Sequence, residues 1–184
     1  MHPTAELFTE KAWASVVAAQ QLAQQKRQQQ MESEHLLAAL LAQQGLASRI
    51  LEKAGVDVGT LVQKVDAFIT GQPSLSSPPD NVYLGKGLNA VLDQADALKQ
   101  SYGDSYLSIE HLLLALAIDD RCGKQLLSQA GASTDKLRDA VTAIRGSQKV
   151  NDQNPEGTYE SLEKYGRDLT AAAREGKLDP VIGR

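Results

Sequence analysis

Disulfide chemistry is the first thing this chain lacks. Cys122 is its single cysteine, so no intrachain bridge can form, and a reducing compartment, the cytoplasm, is the expected setting. Basic excess is missing too. Against 23 acidic residues stand 19 Lys and Arg, a net charge of −4, which provides no phosphate-neutralising face and argues against nucleic acid as a partner. The longest apolar runs, Leu112 to Ile118 and the equally long Leu36 to Ala42, are far short of the roughly 18 residues a membrane span requires. The start, Met1-His2-Pro3-Thr4-Ala5-Glu6, has no basic region leading into an apolar stretch, so no signal peptide is expected. β-branched runs are absent, which weighs against strands, whereas alanine, leucine and glutamine are abundant and favour helices.

Motifs of catalysis are also lacking. The chain carries no Gly-x-x-x-x-Gly-Lys-Ser/Thr phosphate loop, no His-Glu-x-x-His zinc helix and no Gly-x-Ser-x-Gly nucleophile elbow. No catalytic residue, metal site or cofactor site is therefore expected in it. Cys122, with no His or Cys pattern around it, reads as an inert, partly buried thiol.

What is present is a duplication. Glu34-His35-Leu36-Leu37 recurs as Glu110-His111-Leu112-Leu113, and 110 less 34 is a displacement of 76 positions. The same displacement carries Ala39-Leu40 onto Ala115-Leu116, Ala54-Gly55 onto Ala130-Gly131, Leu61 onto Leu137 and Val65 onto Val141. One register without gaps implies two copies of one supersecondary unit, over about 8–70 and 84–146.

Each copy reads as four helices, giving an all-α, pseudo-twofold duplicated fold of about eight helices. In the first copy Thr9 is placed to cap a helix carrying Ala12, Trp13, Val16, Val17 and Leu22. A second helix starts near Glu32-Ser33, a third runs from about Leu46 to Ala54 and stops at Gly55, and a fourth follows Asp57. In the second copy Ser108 and Gly131 play the matching parts. The Pro- and Ser-rich stretch Gln72 to Asp80 joins the copies and cannot be helical throughout. Polar residues 147–158 read as an interdomain linker, followed by a helical pattern from Tyr159 to Glu175.

Several segments narrow the possibilities. The duplicated Glu-His-Leu-Leu unit resembles the amino-terminal domain of Clp-type AAA+ unfoldases, the double Clp-N motif. The wording of Val82-Tyr83-Leu84-Gly85, of Gly103 through His111, and of Gln148 through Glu156 is similar to the ClpB disaggregase branch, and closer to its cyanobacterial than to its enterobacterial members. Lys164-Tyr165-Gly166-Arg167-Asp168-Leu169-Thr170 and Gly176 through Arg184 resemble the entry to a first AAA+ domain, so 159–184 is expected to be the start of that domain, truncated before its phosphate loop. The resemblance implies a parent protein that forms homohexameric rings, binds ATP and Mg in domains absent here, threads aggregated polypeptide through a pore and works with DnaK-type chaperones. It implies for this piece a non-enzymatic, monomeric module whose partners are unfolded or aggregated polypeptides, or alternatively an adaptor protein or the pore it gates.

Two groups of residues are candidates for that contact. From the residues alone, Thr9 and Glu110 read as helix-start groups and Asp104 as a turn residue after Gly103. The resemblance implies that Thr9, Asp104 and Glu110 handle substrate. Val82, Leu88, Val91, Leu92 and Ala95 lie at or just before the first helix of the second copy; helical spacing explains the last four as core, and the resemblance implies a shallow apolar groove there flanked by acidic groups. His35 and His111 read as helix-start hydrogen-bonding residues. Burying two or three client side chains at roughly 1.5–3 kcal/mol each, less the cost of association, predicts weak binding that six tethered copies in a ring would strengthen.

Overall fold

The computed structural model describes residues 1–159. The expected entry to the ATPase domain falls, beyond Tyr159, outside the described residues. After a short 3-10 turn at Ala5–Leu7, the first copy contributes α1 (Glu10–Gln25), β1 (Gln30–Met31), α2 (Ser33–Ala42), α3 (Leu46–Lys53) and α4 (Val58–Thr70). The second contributes β2 (Tyr83–Leu84), α5 (Lys86–Ser101), α6 (Ile109–Leu116), α7 (Gly123–Gln129) and α8 (Thr134–Arg145). The fold is all-α and duplicated, as the spacing predicts.

Local chemistry sets the helix limits. Thr9, Asp57 and Ser133 each accept an amide hydrogen from the third residue of the helix they open, at Ala12, Thr60 and Lys136. Gly55 and Gly131, equivalent under the repeat, follow α3 and α7 at φ of 85° and 90°, a conformation in which a Cβ is strained.

Helices α2 and α6 form the centre. Both are rich in Leu and Ala, strong helix formers, and both are apolar on nearly every side, which demands burial all round. Every residue of α6 is buried, and so is α2 from Ser33 to Leu41 apart from Ala38. Around them the copies interlock. Helix α3 packs on α6 and α8 of the second copy, and α7 packs on α2 and α4 of the first. The core is consequently one cluster shared by both copies.

Two parallel backbone contacts complete the exchange. Met31 pairs with Leu84 in β1–β2, and Phe8 bridges Leu107. A shift of 76 carries Phe8 onto Leu84 and Met31 onto Leu107, so these are the same contact made twice. In each, the lead-in to one copy's first helix lies beside the lead-in to the other copy's second helix. Strand pairs two residues long leave no periodicity in a sequence, which is why they were not expected.

The segment expected to be a free linker is held down. Val150, Glu156 and Tyr159 are all but fully buried, and a helical turn begins at Pro155. Ser105 donates its amide to the Val150 carbonyl at 2.8 Å, and Glu10 donates to the Gln153 carbonyl at 2.8 Å. The polar composition of 147–158 is accounted for by the other faces of this strap, which are exposed. It lies across the seam where the copies meet.

Candidate functional site

The seam contains a buried polar cluster at the start of α6. Ser108 donates its amide to His111 Nδ1 at 3.0 Å, so Nδ1 must be an acceptor and the proton sits on Nε2. That Nε2–H donates to Asp104 Oδ2 at 2.7 Å. Arg145, from the end of α8, forks onto the same carboxylate at 2.8 and 2.7 Å and reaches Glu110 at 3.5 Å. Its guanidinium lies 4.8 Å from the centre of the Tyr102 ring. Ser108 donates its hydroxyl to Glu110. Burial would raise the Asp104 carboxyl, but hydrogen bonds from His111, Arg145 and the Val150 amide, with the Arg145 charge, outweigh it and hold the group well below the usual carboxylate range.

Beside this cluster the strap places a carboxylate between two helix starts. Glu156 accepts the Thr9 hydroxyl at 2.5 Å and the Ile109 amide at 3.1 Å, at the N-termini of α1 and α6. Helix N-termini favour a carboxylate. Burial nevertheless pushes Glu156 up to about 7, opposed by the Thr9 hydrogen bond and reinforced by the Glu110 charge.

The other half of the molecule repeats this arrangement with different residues. His35 accepts the Glu32 amide on Nδ1 at 2.9 Å and donates from Nε2 to Gln28 at 2.7 Å, where Gln28 is the repeat equivalent of Asp104. Burial lowers the His35 pKa. Glu34, equivalent to Glu110, is held by both arms of Arg121 at 2.8 and 3.0 Å. Between the starts of α2 and α5, Glu32 accepts the Leu88 amide at 2.9 Å. It lies so close to Gly85, the equivalent of Thr9, that a Cβ there would meet its carboxyl carbon at 2.1 Å. Each seam thus has one carboxylate serving two helix starts: Glu32 from within the first copy, Glu156 from the strap.

Several clefts open to solvent, among them one of about 860 Å³ beside α3 and the start of α4, where Arg49, Glu52 and Lys53 line it; two smaller ones bear on the candidate sites. One, of about 310 Å³, is lined mainly by polar residues, among them Arg27, Gln28, Glu32, Glu34, His35 and Arg121, with Pro73 and Leu75 on its wall. The second, of about 340 Å³, runs between α1, α2 and α4. Leu41 and Val65 form its buried floor, Leu22, Ala38 and Val62 its half-buried walls, and Asp66 stands on its rim. Among the described residues no group of three His, Cys, Asp or Glu side chains is arranged to hold a metal ion. No described helix is long and apolar enough to cross a membrane.

Comparison with known proteins accounts for this architecture. Residues 7–125 match the family model described as the Clp repeat (R) N-terminal domain. The chain belongs to that family. It is 65% identical over its whole length to the chaperone protein ClpB 1 of Parasynechococcus marenigrum strain WH8102, of which it covers 21%. It is 55% identical to ClpB 2 of Synechocystis sp. strain PCC 6803, again over the whole chain and 21% of the relative. The solved Hsp104 N-terminal domain of Candida albicans superposes on 81% of this chain and 98% of its own, with a TM-score of 0.74 and 30% identity. The chain therefore spans about a fifth of the length of the curated relatives it matches, and what it matches is the chaperones' N-terminal module, not their ATPase module.

Within this Clp N-terminal domain the candidate residues fall into two places. Thr9, Asp104 and Glu110 are brought together at the seam under the strap, and all three are buried. Leu88, Val91, Leu92 and Ala95 are at most 2% exposed, and Val82 is half-buried. The expectation that these four line an open groove is corrected: they form the face of α5 turned to the core, where helical spacing alone would put them. One open apolar groove lies instead in the first copy, between α1, α2 and α4. Its signal was present in Val62, an apolar residue beside the core stripe Leu61–Val65, and in Leu22 at the end of α1. The parts of Arg145, Arg121, Glu32 and Glu156 were missed, because charged residues on polar stretches carry no periodic mark of burial. Cys122 is buried, and burial with the nearby Glu34 and Asp119 charges pushes its thiol well above the usual range, in keeping with an inert group.

Proposed function

We propose that this domain engages exposed apolar segments of unfolded or aggregated polypeptide on behalf of an ATP-dependent ClpB-type chaperone and passes them to its ring. The observation that carries this reading is the groove between α1, α2 and α4: an apolar floor of Leu41 and Val65, walls of Leu22, Ala38 and Val62 that remain half open, and one acidic rim residue, Asp66. It sits in a chain with close kinship to ClpB chaperones. A shallow apolar cleft recognises side chains that native proteins hide. Two or three of them, at roughly 1.5–3 kcal/mol each less association costs, set affinity at about 10–100 µM. Weak contact suits a carrier that must let its cargo go.

The test is a titration of isotope-labelled protein with a permanently unfolded polypeptide, followed by amide NMR, with a native protein as control. Shifts at Leu22, Ala38, Leu41 and Val62 with the unfolded form alone are expected. Val62→Asp should lower affinity at least fivefold while leaving the melting temperature within a few degrees, since the side chain is half exposed. Absence of shifts at high micromolar concentration, together with a tight, saturable protein partner, would replace client binding by adaptor docking.

A further inference from the structure

The seam is covered by a piece of this chain that is attached like a bound peptide. We infer that residues 147–159 are an intramolecular occupant of a second polypeptide-binding surface, and that an extended client segment must displace them to reach Thr9, Asp104 and Glu110. This rests on the reading of the domain as a polypeptide binder.

Three observations carry it. First, much of the attachment uses the strap's main chain. Its Val150 and Gln153 carbonyls accept from Ser105 and Glu10, and its Val150 amide donates to Asp104 Oδ1 at 3.0 Å. Any extended polypeptide can make the same bonds. The side chains that enter the seam are those of Val150, Pro155, Glu156 and Tyr159, and Gln153, though exposed, donates its side-chain amide to the Phe8 carbonyl at 3.0 Å. A competing segment thus needs an aliphatic side chain in the place of Val150.

Second, the occupant is imperfectly satisfied. Glu156 Oε1 and the Tyr159 hydroxyl are buried with no hydrogen-bond partner among the described residues. Unpaired buried groups of this kind weaken the strap's hold and place it among the parts of the structure that open first. Third, the two seams differ in where their bridging carboxylate comes from. Glu32, which caps α5, belongs to the first copy itself, whereas the carboxylate that joins the starts of α1 and α6 comes from Glu156, 47 positions beyond Ile109. Releasing the strap frees one seam and leaves the rest of the fold its own bonds.

The experiment uses the full chain and a reduced, carboxymethylated protein as unfolded probe. Hydrogen exchange of 148–159 should rise at least fivefold when the probe binds, while α2 and α6 stay protected. Val150→Asp, which expels the strap, should bind the probe at least threefold more tightly, because competition lowers apparent affinity by the fraction of open molecules. A synthetic peptide of residues 147–159 should compete with the probe on that variant. If the probe binds the wild-type chain and exchange in 148–159 is unchanged, the strap is only structural and the inference is overturned, with the polypeptide-binding reading intact. Should neither the wild type nor a folded Val150→Asp bind, the reading itself fails. If Val150→Asp does not fold, the wild-type exchange result decides alone.

Discussion

His111 and Asp104 show how a single buried hydrogen-bond chain defines the seam. The backbone amide of Ser108 dictates the ring's tautomer, the ring donates to Asp104, and Arg145 closes the pair from α8. Removing one partner strands the others: Asp104→Ala leaves a buried guanidinium without its carboxylate and should cost about 3–5 kcal/mol, read from urea unfolding. Glu156 gives a second prediction at this scale. Its carboxyl ordinarily titrates near 4.5 and stands at about 7 when docked. Since the docked pKa is the higher, protonation favours docking. The strap is held best below pH 4.5 and loses hold as pH rises through 7. The groups facing Glu156 are the Thr9 hydroxyl before α1 and the Ile109 amide at the start of α6, with the Glu110 charge from α6 and Tyr159 from the strap near them. Carbon-detected NMR of the Glu156 carboxyl should show a midpoint near 7; a midpoint near 4.5 would mean the side chain is solvated. Thr9, Ser108 and the two histidines were legible as helix-start residues because capping is local. The partner of Thr9 was not, since Glu156 lies 147 positions away.

The helices divide into those that sequence describes well and those whose starts depend on a neighbour. α1, α4 and α8 each carry their own capping side chain; for α1 and α4 the sequence placed the start, and of the apolar residues assigned to α1 only Val17 turns out exposed. α5 carries no such side chain: Gly85 precedes it, and Glu32 supplies the cap from across the seam. Gly85→Ala would push a flexible carboxylate aside and lose that cap, at about 0.5–2 kcal/mol. Gly123, at the start of α7, is a harder case. A Cβ there would lie 2.2 Å from the Leu116 carbonyl oxygen, which is backbone of the central helix. Gly123→Ala should therefore cost more than Gly85→Ala, by thermal unfolding of the two variants side by side. Equal effects would show that α6 and α7 can separate without loss. The core face of α5 illustrates the limit of periodicity: the spacing of Leu88, Val91, Leu92 and Ala95 establishes one apolar side, and both a core and a groove satisfy it.

Across the whole molecule the two copies behave as one body, since α3 and α7 each complete the other copy's core. Unfolding is expected as a single transition, with Trp13 fluorescence in the first copy coinciding with loss of amide protection in α7 and α8. Two separate transitions would contradict the shared core. Much of this protein was determined by its sequence alone: helix content, helix ends, the two copies and their register, and kinship with Clp N-terminal domains. All of these follow from residues a few positions apart or from a displacement that can be read directly. Tertiary structure alone decided that the copies interlock, that Thr9, Asp104 and Glu110 lie buried beneath residues 147–159, and that the open groove belongs to the first copy. Amphipathic spacing states which side of a helix avoids water, and only the folded chain determines what covers it.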